Sequence, residues 1–147
     1  TMFAEFEKII HQEQEAGAAL TLDTLTKIYH ELLLAYFGPD FSLDPQLDLE
    51  CLRIPHFYHA FYVYQYATGM SAAIALSRQV LQTGDASAYL GFLASGGKRD
   101  PIDTLRQAGV DMTSPEPVES ALQLFSQRVD ELASLLKIDL DKQPEIA

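Results

Sequence analysis

Residues 53–69 read Arg53-Ile-Pro-His-Phe-Tyr-His-Ala-Phe-Tyr-Val-Tyr-Gln-Tyr-Ala-Thr-Gly69. Four tyrosines, two phenylalanines and two of the four histidines of the chain fall within it. Two secondary structures compete for this stretch. Tyr62-Val63-Tyr64 can alternate as a strand, and these residue types favour one. The flanking Ala, Gln and Met favour helix instead. Pro55 also sits where a helix tolerates proline, at its first position. The pattern therefore predicts one long helix from near Pro55 to about Gln82, stopped by Gly84. Gly69 and Ser71-Ala72-Ala73 lie inside it, where small side chains let a neighbour approach closely.

With this stretch read as helix, no clear strand pattern remains. Upstream, Phe3, Phe6, Ile9 and Ile10 recur at helical spacing, which predicts a helix over 2–16 ended by Gly17. Thr21 is placed to cap a second helix, with Leu22, Leu25, Ile28, Tyr29, Leu32, Leu33 and Tyr36 on its apolar stripe and Gly38-Pro39 ending it. Residues 38–54 read as an ordered loop. Downstream, Asp85 caps a short helix ending at Gly96-Gly97, and Asp100-Pro101 starts another that Gly109 ends. Ser114-Pro115 opens the last helix, striped by Val118, Ala121, Leu122, Phe125, Val129, Leu132, Leu135 and Leu136. There is no internal repeat or low-complexity segment. The expected fold is all-α: a single compact multi-helix unit over 1–147, with a long central helix and a long amphipathic C-terminal helix.

The bulk composition excludes several classes. A chain of 147 residues can bury one sizeable core. Its net charge of −11 and pI near 4.6 leave too few cations to neutralise phosphates, so nucleic acid is not an expected partner. No apolar run approaches the roughly 18 residues of a membrane helix, and no membrane partner is expected. No basic start leads into an apolar core, so no secretory signal is expected. The single cysteine, Cys51, cannot form an internal disulfide and fits a reducing, cytoplasmic setting. Position 1 is Thr, which points to a piece of something longer.

Metal chemistry is the first to weigh. His30-Glu31-Leu32-Leu33-Leu34 begins like the H-E-x-x-H helix, but Leu34 occupies the place of the second histidine and cannot ligate zinc. His56 and His59 supply two imidazoles three residues apart, short of the four ligands of a structural zinc. His11 and Glu15 lie one turn apart and read more simply as a surface pair. Cys51 has no identified base and reads as an inert thiol. Ala94-Ser95-Gly96-Gly97-Lys98 lacks the spacing of a phosphate loop and reads as a helix end. No metal site is expected in this chain. The ring cluster differs. On a helix, Tyr58, Tyr62 and Tyr66 would step along one face with His59 beside them. One reading is an aromatic core. The other is a hydrogen-bonding wall, since buried phenols need partners and converging donors suit an oxyanion.

The same residues carry a resemblance. Arg53-Ile-Pro-His-Phe-Tyr followed by Phe61-Tyr-Val-Tyr-Gln-Tyr-Ala-Thr-Gly69 resembles the C-terminal signature of oligoendopeptidase F, one of the thimet-oligopeptidase-like zinc metallopeptidases. Thr1-Met-Phe-Ala-Glu-Phe-Glu7 resembles the segment downstream of that family's zinc helices. Gly96-Gly97, Pro101-Ile102, Leu105 and Ala108-Gly-Val-Asp-Met112 resemble its closing region. The resemblance implies a mostly helical fold and a much longer enzyme hydrolysing short peptides. It implies a zinc held by an H-E-x-x-H helix and a later glutamate, none of which maps onto these residues.

What carries over is the opposite wall of the cleft. The resemblance implies that His56, Tyr62 and Tyr66 stabilise the tetrahedral oxyanion, while Tyr58, His59 and Tyr64 hold substrate. The thimet-type relatives have a glycine-rich loop where this chain has Phe57-Tyr-His-Ala-Phe. The expected partners are short peptides and the N-terminal part of the same enzyme, with a homo-oligomer of the isolated piece. This chain alone, binding no zinc, is expected to be inactive. The competing expectation is a non-catalytic helical module that engages another chain through its last helix.

Overall fold

A computed structural model describes residues 1–138. The fold is all-α, and no strand occurs among the described residues. Among the described residues seven α-helices follow one another: α1 Met2–Glu15, α2 Leu22–Phe37, α3 Glu50–Arg53, α4 Tyr64–Thr83, α5 Ser87–Ser95, α6 Pro101–Gln107 and α7 Glu116–Leu136. The chain divides into two compact units, Thr1–Ala67 and the part from Thr68 onward.

The first unit is built on rings. Phe6, Tyr29, Leu32, Leu33 and Cys51 form its buried core, with Phe3, Ile10, Leu25 and Phe57 packed against it. Phe6 lies edge-on to Tyr29 at a centroid distance of 5.3 Å and tilted against Phe57 at 5.1 Å. Such pairs add about 0.5–1.5 kcal/mol each beyond the area they bury. The helix α2 starts where the sequence places it, because the Thr21 side chain accepts a hydrogen bond from the Thr24 N–H at 3.2 Å. It ends at Gly38, whose φ of 80° is a conformation glycine adopts without strain.

Two parts of this unit differ from the sequence reading. The loop over 38–54 contains a 3-10 turn, Pro45–Leu49, and the single-turn helix α3. Asp44 caps that turn by accepting from the Gln46 N–H at 2.8 Å, with Pro45 at the first position. The larger difference is the central helix. It begins at Tyr64, not near Pro55. Pro55–Tyr58 is a 3-10 turn, and Phe61 has a left-handed φ of 57°, which no α-helix accommodates. A proline at the first position starts a 3-10 turn as readily as an α-helix, since its missing N–H is an orphan in both.

The second unit packs Leu76, Ala108 and Val110 as its core, joined by Ala75, Phe92, Leu105 and Met112. Asp100 caps α6 through the Ile102 N–H, and Asp85 accepts from the Ser87 N–H at the start of α5. Gly109 closes α6 with a φ of 91°, and a Cβ there would stand 2.9 Å from the Gln79 side chain. An apolar groove of about 730 Å³ runs between Ala72, Leu76, Val80, Tyr89, Phe92 and Leu105. The stripe of α7 is largely uncovered: Phe125 is 69% exposed and Leu135 74%. No described helix is long and apolar enough to cross a membrane.

Candidate functional site

The site is set by which ring of the Pro55–Tyr58 turn faces inward. Phe57 enters the core against Phe3 and Phe6. Its neighbour His56 is thereby turned outward and lies only partly buried. After the turn the chain reverses at Phe61 and enters α4 at Tyr64. This reversal brings Tyr62 back over His56, the two rings stacked at 5.5 Å and 25°. Within the first turn of α4, Tyr66 meets both: its ring is edge-on to His56 and to Tyr62, each at 5.8 Å.

The polar tips converge as well. Tyr66 Oη and His56 Nε2 share a hydrogen bond of 3.1 Å, whose direction follows the imidazole tautomer. The Tyr62 phenol beside it raises the Tyr66 hydroxyl above its ordinary pKa, with slight desolvation adding to the effect. Tyr66 therefore keeps its proton at neutral pH and remains a donor. Pro55, His56, His59 and Tyr62 line an open groove of about 420 Å³. The structure thus gathers His56, Tyr62 and Tyr66, with His59 on the groove wall.

Two residues named from sequence are placed elsewhere or held otherwise. Tyr58 is 73% exposed, and its hydroxyl donates to the Leu52 carbonyl at 2.7 Å. Tyr64 stands exposed on the first turn of α4. The single helical face of Tyr58, Tyr62 and Tyr66 does not exist, because the 3-10 turn and the Phe61 reversal separate the first two. The cluster is a folded-back turn, and its members meet across ten residues of sequence.

The decoys resolve physically. His30 Nδ1 pairs with Asp48 Oδ1 at 2.8 Å on a half-exposed surface. Cys51 is buried, donates its thiol to the Asp48 carbonyl at 3.3 Å, and is pushed above its ordinary pKa by that burial. His11 does not pair with Glu15 but stacks on Phe61 at 4.4 Å. Among the described residues, no group of three or more His, Cys, Asp or Glu comes together in a way that could hold a metal.

One residue escaped the sequence reading. Glu7 is 2% exposed, and its Oε1 accepts the Phe61 N–H at 2.8 Å. Its signal was available: Glu7 follows Phe3 by four residues and precedes Ile10 by three, so it is a carboxylate on the apolar face of α1.

Comparison with known proteins matches residues 1–124 to the model of peptidase family M3. The chain belongs to this family. Its M3 relatives include the oligopeptidase PepF of Bacillus subtilis, 51% identical over 138 residues, and an oligoendopeptidase F homolog of Borreliella burgdorferi, 42% identical over 139. The crystal structure of oligoendopeptidase-F from Enterococcus faecium superposes with a TM-score of 0.83 at 42% identity. These alignments cover 92%, 93% and 92% of this chain but 21%, 24% and 26% of the respective relatives. The M3 chain described here therefore spans about a quarter or less of each relative's length.

Proposed function

We propose that this chain is part of an oligoendopeptidase-F-like zinc metallopeptidase that hydrolyses short peptides, and that it supplies the peptide-facing wall of the cleft. The observation that carries the reading is the convergence of His56 Nε2 and Tyr66 Oη, 3.1 Å apart, beside the stacked Tyr62 ring and an open groove. Attack on a peptide carbonyl moves charge onto its oxygen. A phenol and an Nε2–H imidazole held 3.1 Å apart could both turn to donate to that oxygen. In the free enzyme the two groups satisfy each other. An arriving oxyanion would take over both donors, and one such donor is worth about 2.7–4 kcal/mol of barrier. Tyr62 holds the His56 ring flat, and Tyr58, His59 and Tyr64 offer ring faces and tips to substrate on either side.

The zinc implied by the family resemblance finds no ligand set among the described residues. The roles given to this chain do not pass through it, and the isolated chain is expected to hydrolyse no peptide. In the complete enzyme, His56→Ala and Tyr66→Phe should each lower kcat by roughly 10²–10³-fold, with the unfolding midpoint little changed. Unaltered turnover in both variants would reject the wall.

A second reading, a helical interaction module, is favoured by the uncovered stripe of α7. Val118, Leu122, Phe125, Leu132 and Leu135 lie exposed along one helix. Apolar surface of this extent drives association. The isolated chain is expected to form a dimer or larger oligomer. Sedimentation as a monomer at high concentration would count against it.

A further inference from the structure

We propose that Glu7 is the positioning residue of the His56–Tyr62–Tyr66 cluster, acting through the backbone of Phe61; this rests on the wall reading above. Four observations converge. Glu7 is a carboxylate buried to 2% exposure on α1, and burying such a group is costly unless it is engaged. Its Oε1 accepts the Phe61 N–H at 2.8 Å across 54 residues of sequence. Phe61 holds a φ of 57°, a region that a bulky residue enters only when its surroundings impose it. One turn further along α1, His11 stacks on the Phe61 ring at 4.4 Å. Helix α1 thus grips this one residue twice, by its N–H and by its ring.

The grip matters because Phe61 is the point of reversal. Upstream lies the Pro55–Tyr58 turn with His56; downstream lie Tyr62 and Tyr66. If Phe61 relaxes to a negative φ, the two sides of the turn part, and the 5.5 Å stack of Tyr62 on His56 is lost. Phe57 anchors the upstream side in the core, so it cannot follow. Glu7 itself touches none of the three rings' polar tips and takes no part in bond breaking.

The test uses the complete enzyme with isotope-labelled histidine. In Glu7→Leu, kcat should fall about 10²-fold with KM changed far less, as expected when reacting groups shift by about an ångström. Glu7→Gln keeps an oxygen acceptor and should retain most of the activity. The His56 imidazole resonances should move in Glu7→Leu towards those of Tyr66→Phe, and stay put in Glu7→Gln. Unchanged His56 resonances and kcat in a folded Glu7→Leu enzyme would overturn the proposal. Equal losses in Glu7→Gln and Glu7→Leu would also overturn it, since the acceptor would then not be what counts. Where Glu7→Leu yields no folded enzyme, Glu7→Asp withdraws the acceptor by one methylene and decides by the same two readouts. If His56→Ala and Tyr66→Phe leave kcat intact while His56 resonances still move in Glu7→Leu, the wall reading fails and the positioning contact stands.

Discussion

Two sets of rings share one short segment of this protein and do opposite things. Phe3, Phe6, Tyr29 and Phe57 interlock at centroid distances of 5.1–6.3 Å, Phe6 and Tyr29 buried and Phe3 and Phe57 packed against them. His56, Tyr62 and Tyr66 lie at 5.5–5.8 Å, almost the same spacing, on the surface. Adjacent residues, His56 and Phe57, belong to different sets. The inner set is mainly hydrocarbon, and its one hydroxyl, on Tyr29, is committed to Glu50 Oε2 at 2.9 Å. In the outer set, His56 and Tyr62 line the groove, and the Tyr66 hydroxyl is bonded to His56 Nε2 at the exposed surface. The contrast teaches that ring packing alone does not mark a core. What marks it is whether the polar tips are used up inside the protein or left where a ligand can reach them.

Truncation should break the comparison most sharply. Phe6→Ala is expected to cost about 3–5 kcal/mol in denaturant unfolding, since the ring is almost wholly buried and touches two others. Tyr62→Ala should cost about 1 kcal/mol or less, because its ring is substantially exposed. Equal costs would mean that the outer rings are part of the core after all.

Deleting single oxygens gives a finer contrast. Tyr29 is 0% exposed, and burial, reinforced by the Glu50 carboxylate, pushes its hydroxyl well above its ordinary pKa. Tyr29→Phe should therefore lose about 1.5–3 kcal/mol of stability, the range for a hydrogen bond to a charged group. Tyr66→Phe should change stability by about 0.5 kcal/mol at most. On the proposed reading its effect falls on turnover instead. A stability loss at Tyr66 matching that at Tyr29 would erase the distinction.

The smallest effect lies outside both ring sets and serves as their control. Asp111 accepts from the Thr113 hydroxyl and N–H and from Arg106, which together hold its pKa down to about 2. Its folded-state pKa lies below the unfolded value, so its contribution is complete above about pH 4. It fades as the pH falls towards 2. Asp111→Asn should remove that part of the acid dependence of the unfolding midpoint while leaving His56 and Tyr66 chemistry alone. A midpoint that falls identically with pH in both proteins would exclude the contribution.

Much of the fold was legible because its signals are local. Thr21 with Thr24, Asp100 with Pro101, and Gly38 each set an element boundary through contacts within a few residues. The segment after Pro55 was not legible in the same way. Its conformation is imposed at Phe61 by Glu7 and His11, some fifty residues away, and no local propensity encodes that. The three residues His56, Tyr62 and Tyr66 could be named from the family pattern. The helical face that was to align Tyr58, Tyr62 and Tyr66 does not form, and the reversal that brings Tyr62 and Tyr66 to His56 needed the tertiary contact. The α7 stripe was readable as a period, whereas whether it is covered is invisible to periodicity.

The lone thiol has a practical meaning. Cys51 sits in the ring-built core, donates to the Asp48 carbonyl, and is kept protonated by burial. A protonated, enclosed thiol reacts slowly with alkylating reagents, and a released one reacts at the pace of free cysteine. With a single cysteine in these 147 residues, every labelling event in them reports the opening of this one core. The protein carries its own unfolding clock, readable without adding a probe and placed directly beneath the segment that displays His56.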